Sequence, residues 1–302
     1  MRDSPIVLYG AIAANVAIAV TKFVVAGITG SSAMLSEGIH SLVDTGNGGL
    51  LLVGEHRSRR PASPEHPFGH GKELFFWSLI VGVLIFGVGG GVSLYEGVLH
   101  VREPRPIEDA GWNYVVLGCA AVFESISLTI AWRQFSRERA GEPFWQALHA
   151  SKNPSTYTVL AEDAAALLGL AIAAAGVVAS HEFGMPRADG FASIAIGLML
   201  CAVAVLLIRE SRGLLVGEGI GRDTARAIRD TALREDAVSD VGPILSMYVG
   251  PEDVLVTFDA RFRDGMPSEQ VAAGIGRIEA QVRARFPRVR RIYIEPAVAK
   301  GR

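Results

Sequence analysis

Residues 32–54 read SAMLSEGIHSLVDTGNGGLLLVG, and this stretch decides the class of fold. It is apolar and long enough to cross a bilayer as one helix, which needs roughly 20 residues. Three ionisable residues, Glu37, His40 and Asp44, interrupt the stretch and share one face of a helix. Ionisable groups inside a membrane are costly and usually mark an ion pathway. The stretch therefore predicts a membrane protein with a polar site between its helices.

The composition predicts two domains. Hydrophobic residues make up 50% of the 302 residues and charged residues only 20%. Charged residues crowd the last ninety positions, whereas the first two hundred are mostly long apolar stretches. We therefore expect a transmembrane domain over residues 1–212 and a cytoplasmic domain over 213–302. A net charge of −2 gives no indication of nucleic-acid binding, so no nucleic-acid partner is expected.

Six apolar stretches are long enough to span a lipid bilayer as helices. They cover residues 6–28, 33–54, 74–99, 112–133, 155–180 and 188–208. Lysine and arginine concentrate in the connections after the second and fourth stretches, namely Arg57, Arg59, Arg60, Lys72, Arg133, Arg137, Arg139 and Lys152. Positively charged loops usually face the cytoplasm, so both termini are predicted to lie there. A bacterial inner membrane is the expected location.

The last ninety residues carry an α-β-β-α-β pattern. Helices are predicted over residues 223–235 and 268–286, and strands over 244–249, 254–262 and 289–294. Alternating apolar residues make the second strand the clearest of the three. The predicted fold class is an all-α, six-helix transmembrane bundle followed by a small α+β, ferredoxin-like cytoplasmic domain.

The polar residues of the second stretch are candidate metal ligands. A histidine and carboxylates at helical spacing suit a divalent transition metal. The fifth stretch adds Glu162 and Asp163, while Asn47 and Glu124 are auxiliary candidates together with Glu37. The alternative is that these groups only hydrogen-bond neighbouring helices. Such bonds contribute about 0.6–2 kcal/mol and do not require ionisable groups, so a metal or proton site explains the pattern better.

A second candidate site lies in the loop before the third stretch, where residues 66–72 read HPFGHGK. His66 and His70, with Glu65 upstream, offer two imidazoles and one carboxylate to a metal. Pro67 and Gly69 favour a tight turn over a regular helix, which weakens the spacing argument. Two solvated loop histidines are the alternative interpretation.

Two lysines have candidate partners. Lys72 and Glu218 flank the predicted cytoplasmic surface, and a salt bridge between them would fix the angle of the C-terminal domain. The alternative is a pair of screened surface charges, which contribute little. Lys22, in the first stretch, either extends its side chain to the membrane surface or pairs with a buried acid.

Taken together, the six stretches, GSSAMLSEGIHSLVDTGN, HPFGHGK and the small α+β tail resemble the cation diffusion facilitator family of zinc transporters. The resemblance implies a homodimer that exports a divalent metal from the cytoplasm in exchange for protons. It also implies that His40, Asp44 and Asp163 bind the metal and exchange protons, and that His66 and His70 form the family's loop site.

The sequence departs from the common zinc pattern of that family. Val159 stands where a histidine precedes the aspartate of the fifth stretch, and Glu162 is the obvious compensation. This combination resembles a branch related to zinc transporters associated with mitochondria. The tail has no histidine, and Tyr293 and Glu295 stand where a histidine and an aspartate are expected. We therefore expect the tail to serve dimerisation rather than metal sensing.

These features favour a metal/proton antiporter that works by alternating access. Metal binding requires a neutral imidazole and ionised carboxylates, so it releases protons. Zn²⁺ is the first choice of transported ion, and an oxygen-rich site makes Mn²⁺, Fe²⁺ and Co²⁺ alternatives. No cofactor is expected. An intramembrane metalloenzyme is a rival interpretation, but the chain has no HExxH motif and no obvious nucleophile. A metal-responsive receptor without transport is another.

Overall fold

A computed structural model describes residues 5–107, 109–138 and 154–297. The chain divides into two compact units: a helical unit up to Gly54 and over Phe76–Ser211, and a second unit over Glu55–Phe75 and from Arg212 onward. The loop after the second helix thus folds with the C-terminal residues. Arg139 and Lys152, which entered the prediction of orientation, lie outside the described residues.

Within the described residues, six helices cover the six predicted apolar stretches. Each continues beyond its apolar stretch, because polar residues extend the helix after the apolar run has ended. The helices are α1 (Pro5–Thr29), α2 (Ser32–Ser58), α3 (Glu73–Arg102, with a π-helical segment over Ile85–Val92), α4 (Ala110–Glu138), α5 (Pro154–His181) and α6 (Arg187–Val216). α6 ends at Val216, eight residues beyond the end of the sixth apolar stretch.

Four helices of the described chain, α3 to α6, are long and apolar enough to cross a membrane. α1 contributes a shorter apolar segment, Asn15–Thr29. α2 is 27 residues long but carries the polar residues noted above, which lower its hydropathy. The structure thus supports an integral membrane protein, and the count of six spans stays a prediction.

Glycines bring α3 and α6 into close contact. A Cβ atom at Gly97 would lie 2.9 Å from the carbonyl oxygen of Gly190, and one at Gly197 would lie 3.0 Å from that of Gly90. Small residues allow such approaches between membrane helices. Gly82 also faces α6, eight residues before Gly90. Gly97 follows Gly90 by only seven residues. The π-helical segment accommodates the one additional residue of the first interval, because a π turn holds more residues than an α turn.

Replacing Gly197 with valine should separate α3 from α6. The new side chain would meet the backbone of Leu94, and overpacking typically costs about 1–3 kcal/mol. Gly87→Val is the matched control, because a Cβ at Gly87 has no atom within 4 Å. The free energy of unfolding in mixed micelles should fall for Gly197→Val and much less for the control. Equal losses would contradict the close packing.

The second unit is a sheet covered by two helices. Its elements are α7 (Arg222–Leu233), β1 (Val238–Val241), β2 (Leu245–Gly250), β3 (Asp253–Phe262), α8 (Ser268–Arg285) and β4 (Val289–Pro296). β3 is central: β1 and β2 pair antiparallel along one edge, and β4 pairs parallel along the other. Buried residues of β3, including Val256 and Phe258, share a core with Ile228 and Ala232 of α7 and Ile278 of α8.

Strand β1 is absent from the sequence prediction. It has only four residues, VSDV, and its two central residues are exposed, so it lacks alternating hydrophobicity. Gly242, Pro243 and Ile244 separate it from β2 on the same edge of β3. The Gly242 amide still donates to the carbonyl oxygen of Asp259 at 2.8 Å, whereas Pro243 has no amide hydrogen to donate. The edge is therefore one interrupted strand, and the ferredoxin-like topology stays a prediction.

Candidate metal centre

A buried polar stripe runs along α2. Its buried members begin at the first residue of the helix and extend over four turns: Ser32, Ser36, Glu37, His40, Ser41 and Asn47. Apart from the adjacent pairs Ser36–Glu37 and His40–Ser41, their spacings correspond to about one or two helical turns, so they lie on one side of the helix. The fold thus packs other helices against the side of α2 that carries the ionisable groups.

His40 and Asp44 lie side by side on this stripe. The Nδ1 atom of His40 is 3.4 Å from Oδ1 of Asp44, and their side chains are 2% and 21% exposed. Two buried atoms, Nε2 of His40 and Oδ1 of Asp44, have no hydrogen-bond partner within the described residues. Buried polar atoms are normally satisfied, so unsatisfied ones call for a ligand or another explanation.

Glu162 and Asp163 face different neighbours, although they are adjacent in α5. The Asn47 side-chain amide donates to Oε1 of Glu162 at 2.8 Å. The Ser127 hydroxyl of α4 donates to Oδ2 of Asp163 at 2.8 Å. Successive residues of a helix point about 100° apart, which lets one acid face α2 and the other face α4. Asn47 therefore orients Glu162 through its amide nitrogen, while its Oδ1 is buried without a hydrogen-bond partner among the described residues.

Three carboxylates from two other helices lie near Asp44. Glu124 of α4 and both acids of α5, Glu162 and Asp163, lie close enough for their charges to act on it. In the part of the chain that the structure describes, no three His, Cys, Asp or Glu side chains are arranged to hold a metal ion. The predicted ligands are thus brought into one region without a closed coordination shell.

Lys22 of α1 is fully buried and pairs with Glu37. Its Nζ atom lies 3.0 Å from Oε2 of Glu37 and 2.8 Å from the hydroxyl oxygen of Ser41. Of the two predictions for Lys22, the structure therefore supports the one in which Lys22 pairs with a buried acid. The other carboxylate oxygen of Glu37 lies against Gly169 of α5, where a Cβ atom would overlap it. Glu37 is therefore engaged by a counter-ion.

Asp189, which the sequence analysis missed, fixes the start of α2. It is fully buried at the start of α6 and accepts hydrogen bonds from the Ser31 hydroxyl at 2.6 Å and from the Ser32 and Ala33 amides at 2.5 and 3.2 Å. These amides lack partners inside their own helix, and a negative charge is favourable there. His100 lies 3.8 Å away. A lone acid at the edge of an apolar run was the only sequence signal.

The loop histidines occupy a tight turn. The ring centroids of His66 and His70 are 4.4 Å apart. The Gly69 amide donates to the His66 carbonyl at 2.9 Å, and Gly69 has a φ of 81°, which glycine adopts readily. Nδ1 of His70 lies 3.2 Å from the carbonyl oxygen of Pro61. Glu65 is exposed beside the turn. The two imidazoles are adjacent, and a metal site here stays a prediction.

The predicted salt bridge between Lys72 and Glu218 also stays a prediction. Nζ of Lys72 donates to the carbonyl oxygen of Leu215 at 3.3 Å. The backbone carbonyl of Glu218 accepts from the Tyr248 amide at 3.0 Å. Both residues thus belong to the second unit. There the side chain of Lys72 binds the backbone of Leu215, and the backbone of Glu218 binds Tyr248.

Removing the charge of Lys22 should destabilise the helical unit. Lys22→Met leaves Glu37 buried without its counter-ion, and breaking one partner of a buried pair costs about 3–5 kcal/mol. The double variant Lys22→Met/Glu37→Gln should recover most of this loss, since it removes both charges. The free energy of unfolding in mixed micelles checks both. A double variant as unstable as the single one would show that the pair is not the cause.

Apolar helices that enclose carboxylates, an imidazole and a buried ammonium group are characteristic of membrane proteins that move ions. The family model for the cation efflux transmembrane domain matches residues 8–216. The chain therefore belongs to the cation efflux, or cation diffusion facilitator, family, which confirms the resemblance. Members of this family are transporters, so the prediction that the protein is not an enzyme is also confirmed.

Several curated proteins are similar to this chain. The mitochondrial proton-coupled zinc antiporter SLC30A9 of Xenopus laevis is 36% identical over 239 residues, which cover 77% of this chain and 43% of that protein. Metal tolerance protein C4 of Arabidopsis thaliana is 34% identical over 245 residues, covering 80% and 52%. The chain thus spans about half the length of the curated relatives it matches.

A search of solved structures found the cadmium form of a variant MamM C-terminal domain. It aligns with 26% of this chain and 98% of that chain, at 18% identity and a TM-score of 0.25.

Proposed function

We propose that this protein is a divalent metal/proton antiporter that exports Zn²⁺ from the cytoplasm by alternating access. The observation that carries the proposal is the pair of unsatisfied buried atoms on His40 and Asp44, next to the carboxylates of α4 and α5. An imidazole nitrogen and carboxylate oxygens are the donors that Zn²⁺ takes in proteins. Asp163 and Glu162 supply the remaining ligands once their side chains turn toward Asp44.

Proton coupling follows from the same groups. A metal ion binds the neutral imidazole of His40 and the ionised forms of Asp44 and Asp163, so protons on these groups must leave when metal arrives. Protons entering from the opposite side expel the metal by the reverse exchange. The buried Lys22–Glu37 pair stays intact throughout and contributes no ligand. Glu124, whose charge acts on Asp44, is the candidate to take a proton or add an oxygen.

The identity of the metal rests on the relatives and on the donor set. The Xenopus laevis relative is named a proton-coupled zinc antiporter, which supports Zn²⁺. One imidazole with several carboxylates is richer in oxygen than two histidines with two aspartates. Such a site also suits Mn²⁺, Fe²⁺ and Co²⁺, because ligand type and geometry govern selectivity.

We further propose a homodimer of six-span protomers in a bacterial inner membrane, with both termini in the cytoplasm. The basic loops after α2 and α4 support this orientation. The C-terminal unit, residues 213–302 in the sequence prediction, is ferredoxin-like and joins the two protomers. His66, His70 and Glu65 form a loading site that delivers metal to the membrane site, and the Lys72–Glu218 pair steadies the C-terminal unit.

Metal flux into proteoliposomes under a proton gradient tests this function. Asp44→Asn and Asp163→Asn should each abolish Zn²⁺ flux, because they remove a ligand charge with little change of shape. Glu182→Asn is a control, since Glu182 is an exposed acid that pairs with His181. Thermal unfolding of each variant separates misfolding from loss of the site. Full flux in a folded Asp44→Asn variant would remove Asp44 from the site, and absent flux in the parent would refute the antiporter.

Restoring the common histidine should change selectivity. Val159 precedes Asp163 by one helical turn, so Val159→His places an imidazole on the same face of α5. Nitrogen ligands favour Zn²⁺ over Mn²⁺, so the ratio of Zn²⁺ to Mn²⁺ flux should rise several-fold. Val159→Gln, which adds a polar side chain with weaker donors, is the control. An unchanged ratio would place residue 159 outside the metal site.

A further inference from the structure

The loop between α2 and α3 is built into the C-terminal unit. Phe75 is fully buried in the core of that unit, together with Leu214. Gly71 lies so close to β2 that a Cβ atom there would overlap the carbonyl oxygen of Val249. These two contacts fix the end of the loop nearest α3. Neither contact involves the histidine turn, residues 63–70.

Arg291 of β4 contacts this turn at Phe68. Its Nη2 atom donates to the carbonyl oxygen of Phe68 at 3.1 Å, and its guanidinium carbon lies 5.2 Å from the centre of the Phe68 ring. Both Nε and Nη2 also donate to Oδ2 of Asp253 at 3.2 Å. A planar guanidinium with five donors can serve a carboxylate, a carbonyl and an aromatic face together, which a lysine cannot do.

The position of Phe68 gives this contact its significance. Phe68 lies midway between His66 and His70, and the turn around it closes through the hydrogen bond from the Gly69 amide to the His66 carbonyl. Fixing the Phe68 carbonyl and ring therefore fixes the backbone that carries both imidazoles. The side chains of Arg291 and Asp253 are 28% and 22% exposed, so solvent screens the pair less than it screens a fully exposed one.

We propose that Arg291 is a positioning residue for metal loading: it holds residues 66–70 so that the two imidazoles lie side by side. Residues 213–302 contain no histidine, yet through Arg291 they set the affinity with which the turn takes metal. This inference rests on the proposed role of His66 and His70 as a loading site. It assigns the C-terminal unit a task other than dimerisation and metal sensing.

Initial rates of Zn²⁺ flux with the full chain in proteoliposomes test the proposal. Arg291→Ala should raise KM about threefold to tenfold, the loss expected for one or two hydrogen bonds, and leave Vmax within about twofold. Arg291→Lys should recover part of the loss, because it keeps a cation beside Asp253 without the guanidinium fork. Arg288→Ala is the matched control, since Arg288 pairs with Glu252 at 3.3 Å at the same end of the sheet.

The histidines provide a second comparison. In a His66→Ala/His70→Ala background, adding Arg291→Ala should change KM no further, because there is no loading site left to position. A further rise in KM in that background would overturn the proposal. So would an Arg291→Ala variant that loses Vmax and thermal stability while keeping the parent KM, since that result marks a purely structural residue.

Amide hydrogen exchange tests the contact without relying on transport. Arg291→Ala should speed exchange at the His66 and Gly69 amides about tenfold or more, whereas Arg288→Ala should not. Unchanged exchange would show that Arg291 does not hold the turn. If the parent shows no flux while Arg291→Ala frees the turn, the antiporter proposal fails and the contact stands. The two failures are therefore distinguishable.

Discussion

The structure depends on the burial of ionisable groups along α2. An unpaired charge in a low-dielectric interior is too costly to keep, so each group needs a partner. Lys22 pairs with Glu37, and Asn47 donates to Glu162. His40 and Asp44 are left with atoms that no described side chain satisfies. Oε1 of Glu37 and Oδ1 of Asn47 are also buried without a hydrogen-bond partner among the described residues, so unsatisfied acceptors lie on both sides of the His40–Asp44 pair.

Residues distant in sequence contact the start of α2 and the turn that follows α2. At its start, Asp189 accepts hydrogen bonds from the first amides of the helix. Beyond its end, the chain enters the turn whose Phe68 carbonyl accepts from Arg291. A helix that carries the transport site thus begins at a buried carboxylate and leads into a turn that the C-terminal unit holds.

Local patterns in the sequence predicted much of this arrangement. The length of the apolar stretches located α3 to α6, helical spacing placed the polar residues on one face of α2, and alternation located β3. The sequence did not show the partners, because Lys22 and Glu37 lie on different helices and Asp189 lies 157 residues from Ser32. Strand β1 was too short to recognise. Nor could spacing show that residues 55–75 fold with the C-terminal unit, since that depends on contacts such as the burial of Phe75.

In the proposed antiporter, metal and protons compete for the same side chains. Calorimetric titration of the purified full-length protein with Zn²⁺, in buffers that differ in ionisation enthalpy, measures it directly. The binding enthalpy should depend on the buffer and correspond to about one or more protons released per bound ion, and Asp44→Asn should reduce that number. Binding of Zn²⁺ at the membrane site with no proton release would contradict the claim.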